Sequence, residues 1–209
     1  MAVLGGVKLG LFKTKKMDSH GILDKFLENY KPGECLAKPD DELLRFGQNV
    51  LPEEIIALWT NYGFGEYGDG ILKVVDPREY MGSLYSWLGK EDFSKIPIIV
   101  TAFGDIFYFR NLGDGETDFS ILDVHYRKIE VCTYSWEAFF KDYIVDKTVM
   151  RNILREKLYE ECIENLGRLN YKEIFFFAPA LVIGGAEDIK YVKKGKAEVH
   201  HQVLLQIGR

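Results

Sequence analysis

Residues 96–133, IPIIVTAFGDIFYFRNLGDGETDFSILDVHYRKIEVCT, decide the fold class. Ile96 to Ala102 is an apolar, β-branched run closed by Gly104-Asp105. Ile106 to Arg110 follows, then a glycine-rich loop through Gly115, then Phe119 to His125 and Ile129 to Thr133. Short runs of β-formers punctuated by turn residues predict strands. With connections this short, an antiparallel meander is the simplest arrangement.

Outward from this stretch the pattern is helical on both sides. Upstream, Pro52 suits a first helical position and Glu53 and Glu54 suit the positive end of the helix dipole. Ile55, Leu58, Trp59 and Tyr62 recur on one face until Gly63. Asp76-Pro77-Arg78-Glu79 repeats the logic as a capping box, with Tyr80, Leu84 and Leu88 in step up to Gly89, and Ile71 to Val75 between them reads as a short strand. Further back, Ile22, Leu23, Phe26, Leu27 and Tyr30 predict a first helix, capped by Asp18 or Ser19 and ended by Pro32-Gly33. Leu43-Leu44 reads as a short apolar pair before a loop at Gly47 to Asn49.

Downstream, Ser135 can cap a helix through Trp136, Phe139, Phe140 and Tyr143. A longer one carries Met150, Leu154, Leu158, Cys162 and Leu166 to Gly167. An apolar stretch at Phe175 to Ile183 and a Gly184-Gly185 break precede a last helix with His200, Val203, Leu204 and Ile207 on its apolar face and His201 toward solvent. The expected class is α+β: an antiparallel sheet flanked by helices, with a closely packed helical C-terminal portion dividing off near Asp146.

The chain has 209 residues, one large domain or two small ones at roughly 150 residues per domain. Its apolar content of 47% with 28% charged residues excludes a disordered chain and a coiled coil. Three widely spaced cysteines, Cys35, Cys132 and Cys162, indicate neither a disulfide framework nor a zinc site, and a reducing cytoplasm fits best. Met1 to Phe12 makes a poor signal peptide because its lysines follow the apolar part. The longest apolar run, Ile174 to Ile183, is far short of the ~20 residues that span a bilayer.

The net charge of −5 argues against a nucleic-acid binder, and its distribution says more: residues 40–123 hold 16 acids against 6 bases. An acidic middle of this kind suits a basic partner.

Motifs for chemistry are sparse. Gly63-Phe64-Gly65-Glu66-Tyr67-Gly68 spells G-x-G-x-x-G, but it follows a helix instead of a strand, and Glu66 and Asp69 would repel phosphate. A helix stop and an Asp69-Gly70 hairpin turn account for it. Asp114, Glu116 and Asp118 lack the ligand order of an EF-hand. His125, in a strand with Asp123 on the same face, is the one His/carboxylate pair at suitable spacing, so a small hydrolase using that pair stands as one alternative. No cofactor or metal is indicated. Tyr62, Phe64, Tyr67, Tyr85 and Trp87 cluster around glycine-rich turns beside the acids, the composition of a protein-binding surface.

Leu51-Pro52, Trp59, Tyr62-Gly63, Tyr67-Gly68-Asp69-Gly70, Asp76-Pro77, Tyr80, Trp87 and Thr101-Ala102-Phe103-Gly104-Asp105 together resemble the GAD-like domain family. The later residues Leu158-Tyr159, Leu166-Gly167, Leu169, Glu173, Phe177-Ala178-Pro179-Ala180-Leu181, Gly184-Gly185, Val192, His200 and Gln206 resemble the C-terminal domain of immunity proteins of type VI secretion DNase effectors. The resemblance implies a GAD-like domain over 18–145 and the immunity C-terminal domain over 146–209, with Trp59, Gly63 and Pro179 holding the fold. It further implies a cytoplasmic, non-enzymatic protein that binds a cognate toxin, a nuclease, and occludes its active site. On that reading Glu66, Asp69, Glu91, Asp92, Asp114, Glu116 and Asp118 would present phosphate-mimicking carboxylates to the toxin, with Tyr67 and Trp87 as anchors. A non-catalytic regulatory scaffold is the other alternative.

Overall fold

The computed structural model describes residues 21–207. Six strands follow one another in space as they do in sequence, each antiparallel to the next: β1 (Gly65–Tyr67), β2 (Leu72–Val74), β3 (Lys95–Thr101), β4 (Ile106–Gly113), β5 (Glu116–Asp123) and β6 (Lys128–Thr133). The expected meander is therefore formed and extended by the β1–β2 hairpin. Gly63 ends the preceding helix with φ +109, and a Cβ there would lie 2.4 Å from the Ala37 carbonyl oxygen, so glycine at this position is a steric necessity.

Strand alternation sends Tyr67, Leu72, Val74, Phe107, Phe109, Phe119 and Ile121 to one face. There they pack with α1 (Asp24–Asn29), α2 (Asp41–Val50), α3 (Glu53–Ala57) and its π-helical continuation Leu58–Tyr62, and α5 (Trp136–Ala138) with its own π turn Phe139–Tyr143. Stacking of Phe119 on Phe139, with ring centroids 4.1 Å apart, and the edge-on contact of Phe26 with Phe140 fill the centre. The opposite face, with Val100, Ile106, Tyr108 and Leu122, is covered by α4 (Pro77–Leu88) and α8 (Ala197–Ile207). Between these come α6 (Lys147–Asn152), α7 (Glu156–Leu166) and a second antiparallel pair, β7 (Glu173–Phe177) with β8 (Val192–Lys196).

Three expectations change. Asp41–Val50 is a helix and not a loop: the Asp40 carboxylate caps it by accepting from the Leu43 amide at 2.8 Å, and Gly47 lets it approach Ile56 and Trp59, where a Cβ would meet Ile56 Cδ1 at 2.6 Å. The long helix through Met150 is two, broken at Arg155, whose φ of +52 turns its guanidinium toward the sheet. The expected helical C-terminal portion is formed by α6, α7 and α8, with the Glu173–Phe177 and Val192–Lys196 pair added to it. In α8 the buried phase is Ala197, His201 and Leu204, so His201 is inside while Val203 and Ile207 are exposed, and His200 stacks on Phe176. The proposed caps Asp18 and Ser19, and the basic residues up to Lys16, lie outside the described residues.

The C-terminal portion is tied to one end of the main sheet. The Phe175 amide donates to the Ala102 carbonyl at 2.8 Å, and Phe103 stacks on Phe177. Fully buried Lys73 donates from Nζ to the carbonyls of Asn170, Tyr171 and Glu173, while burial pulls its pKa down to about 8.

Candidate functional site

The acids singled out from the sequence are divided by topology between two ends of the sheet. The β4–β5 hairpin carries Asp114, at φ +50, and Glu116 at its tip, both exposed. The amide of Asn111 donates to the Ser94 carbonyl at 2.8 Å, which brings the α4–β3 connection with exposed Glu91 alongside. Asp92 is at this end too, but it is engaged: Lys95, Ser94 and Lys90 surround it, and hydrogen bonding to Lys95 holds its carboxyl well below the usual carboxylate range. Half-buried Glu66, opposite Lys73 in the β1–β2 ladder, lies toward the other end of the sheet. Asp69 is there as well; its carbonyl accepts from Tyr159 at 2.8 Å and from Arg168 at 3.1 Å.

Besides Asp92, three of the expected contact residues are not free surface groups. Tyr67 is fully buried: alternation turns it inward beside Leu72, its ring meets Phe26, and its hydroxyl donates to the Gly63 carbonyl at 2.8 Å. Asp118 is buried directly opposite Arg110 in the β4–β5 ladder, where a two-pronged ion pair takes up both its oxygens. Trp87 is half-buried between helices: its indole N–H donates to the His201 carbonyl at 3.2 Å, and the Arg127 guanidinium lies 5.0 Å above its ring.

Sequence reasoning missed the apolar residues at the hairpin end. Tyr134 is 86% exposed, Phe93 62% and Leu112 50%. Leu112 and Tyr134 border a groove of about 490 Å³ with Glu116, Thr117, Trp136 and Glu137. Phe93 and Tyr134 are lone apolar residues in polar connections and Leu112 stands at the end of β4 beside the Asn111/Gly113 irregularity, so the only signal was a large side chain next to turn residues that are otherwise small or polar. Exposed aromatic and aliphatic groups rimmed by carboxylates are the chemistry of a surface that docks a basic protein.

The His125/Asp123 pair does not form. β5 ends at Asp123, and His125 lies in the turn beyond it, not in the strand. Its Nε2 is 2.7 Å from the Phe103 carbonyl, while the Asp123 carboxylate accepts from the main-chain amides of His125 and Tyr126. Burial, reinforced by the Arg155 cation, lowers the His125 pKa to about 3, so the ring is a neutral core group. Its neighbourhood is a buried ionic cluster, with Arg155 donating to Asp105 at 2.7 Å and to Glu187 at 2.8 Å. The glycine-rich 63–70 segment runs from helix stop to hairpin, and only a single 3-10 turn, Gly68–Gly70, with acidic Asp69 inside it follows β1, so it builds no phosphate loop. Among the described residues no group of three or more His, Cys, Asp and Glu side chains could hold a metal. Nor is any described helix long and apolar enough to cross a membrane.

The comparisons with known proteins match both halves of the chain. Residues 21–121 match the GAD-like domain, and residues 135–208 match the C-terminal domain of the T6SS (type VI secretion system) immunity protein Tdi1. No curated protein matches. Among solved structures, Atu4351 from Agrobacterium tumefaciens shares the fold, with a TM-score of 0.67, 16% identity and 88% of each chain covered. Between them the two matches span most of the chain: its sheet-bearing first part is similar to the GAD-like domain, and its last 75 or so residues are similar to the C-terminal domain of the T6SS immunity protein Tdi1.

Proposed function

We propose that this chain is an immunity protein that binds and neutralises a cognate toxin, a nuclease effector, by covering its active site. The observation that carries the reading is the match of residues 135–208 to the Tdi1 C-terminal domain. The toxin would be met in the cytoplasm, and inhibition would be stoichiometric, requiring no catalytic group of the immunity protein.

The surface proposed for contact is the hairpin end. Asp114, Glu116 and Glu91 would face the cationic groove in which a nuclease holds its phosphodiester substrate, and Phe93, Leu112 and Tyr134 would supply the desolvated contacts that slow dissociation. Glu66 and Asp69, at the other end, would then serve long-range attraction without contact. Cells expressing the cognate toxin test the claim directly. Co-expression of this chain is expected to restore growth, and a Tyr134→Ala/Leu112→Ser variant is expected to lose most of that protection at equal protein level. Undiminished killing in the presence of folded wild-type chain would reject the immunity reading.

A further inference from the structure

The two long edges of the main sheet are treated differently. Outside β1 the segment from Pro32 to Ala37 lies against the strand, with bridges Pro32 to Tyr67 and Ala37 to Phe64 and the Gly33 amide donating to the Glu66 carbonyl at 2.9 Å. At the other edge β6 pairs with β5, and among the described residues no backbone group pairs with its outer side. The strand is exposed there over Lys128 to Val131, with Ile129 50% and Val131 40% accessible. By the β5–β6 register, Ile129 and Val131 share one face of the sheet with Leu122, and Lys128 and Glu130 share the other. Glu130 has no ion-pair partner among the described residues. An open strand edge bearing apolar side chains is a template for another strand.

We propose that β6 pairs edge to edge with β6 of a second copy of this chain, antiparallel, about a two-fold axis at Ile129. The charges on the strand select this register. Opposed residues of an antiparallel pair point to the same side, so a two-fold axis normal to the sheet must pass through a residue and not between two. An axis at Lys128 sets lysine against lysine, and one at Glu130 sets glutamate against glutamate. An axis at Val131 places each Glu130 opposite Cys132 and diagonal to the other Glu130, with no ion pair. The axis at Ile129 sets Lys128 against the partner's Glu130 and Glu130 against the partner's Lys128 on one face. On the opposite face Ile129 meets its own copy, with each Val131 diagonal to the other copy's Ile129 and opposite its Arg127, whose aliphatic stem would cover it.

This proposal does not depend on the immunity reading, and its test needs no toxin. Sedimentation equilibrium on the purified full chain is expected to show a monomer–dimer equilibrium. Lys128→Glu or Glu130→Lys alone turns two attractive pairs into repulsive ones and is expected to weaken the dimer about tenfold, while the double exchange K128E/E130K restores it. In a Cys35→Ser background, Ile129→Cys is expected to form a disulfide with its own copy on oxidation. All of these positions are exposed, so folding is retained and checked by circular dichroism. A monomer at every concentration, or a dimer indifferent to both charge reversals, would overturn the proposal. So would a chain that is monomeric alone and whose toxin complex is weakened by Lys128→Glu, which would assign the edge to the toxin instead.

Discussion

Arg155 adopts a left-handed backbone conformation at the start of α7, and its guanidinium, only 4% exposed, pairs with Asp105 at 1% and with Glu187 at 34%. Removing one partner of a buried pair strands the other charge, whereas removing an accessible partner leaves water to replace it. Asp105→Ala is therefore expected to cost about 3–5 kcal/mol in urea unfolding, and Glu187→Ala under about 1 kcal/mol. Equal effects would show that the cluster is solvated. The buried histidines give a second prediction. His201, whose Nε2 lies 2.8 Å from the Gly104 carbonyl, has its pKa lowered by burial to about 4, and His125 to about 3. In the unfolded chain both would bind protons near pH 6.5, so stability is retained above that pH and lost as pH falls toward 4. Between pH 7 and pH 5 the two together are expected to remove about 4 kcal/mol, and His201→Gln should roughly halve that slope. A flat stability profile over this range would contradict the assignment of both rings as neutral.

At the scale of elements, the β4–β5 hairpin is the part that carries function in this account. Asp114→Lys/Glu116→Lys is expected to slow toxin association and flatten its dependence on salt, with an unchanged unfolding midpoint, because both side chains are exposed. Association rates that keep the wild-type salt dependence would remove the hairpin acids from the encounter. The meander, the proline-led helices and their glycine stops were legible because each rests on local rules of alternation, capping and positive φ. What was not legible came from tertiary approach. Gly47 reads as a loop residue until Trp59 is known to press on it, and Arg155 sits in an unbroken helical period until Asp105 is known to face it. The candidate surface was half legible for the same reason. Carboxylates can be counted from sequence, but that Asp118 is consumed by Arg110 and Tyr67 by the core depends on which way a strand turns its side chains.

For the whole molecule, both faces of the sheet are covered and the C-terminal portion locks one end through Lys73, Phe103 and Arg155. That leaves the hairpin end and the β6 edge as the outward parts of the sheet. The acidic excess of residues 40–123 is shared between the two ends of that sheet, and at the hairpin end exposed Asp114, Glu116 and Glu91 stand beside exposed Phe93, Leu112 and Tyr134. On the proposed immunity reading the chain would inhibit by occupying space, and its effect would be set by stoichiometry. The most direct measurement is titration of the purified chain into its cognate toxin while DNA cleavage is followed. Loss of cleavage complete at one equivalent, with a stable complex on a sizing column, is the predicted result. Full cleavage at tenfold excess of folded chain would contradict the account.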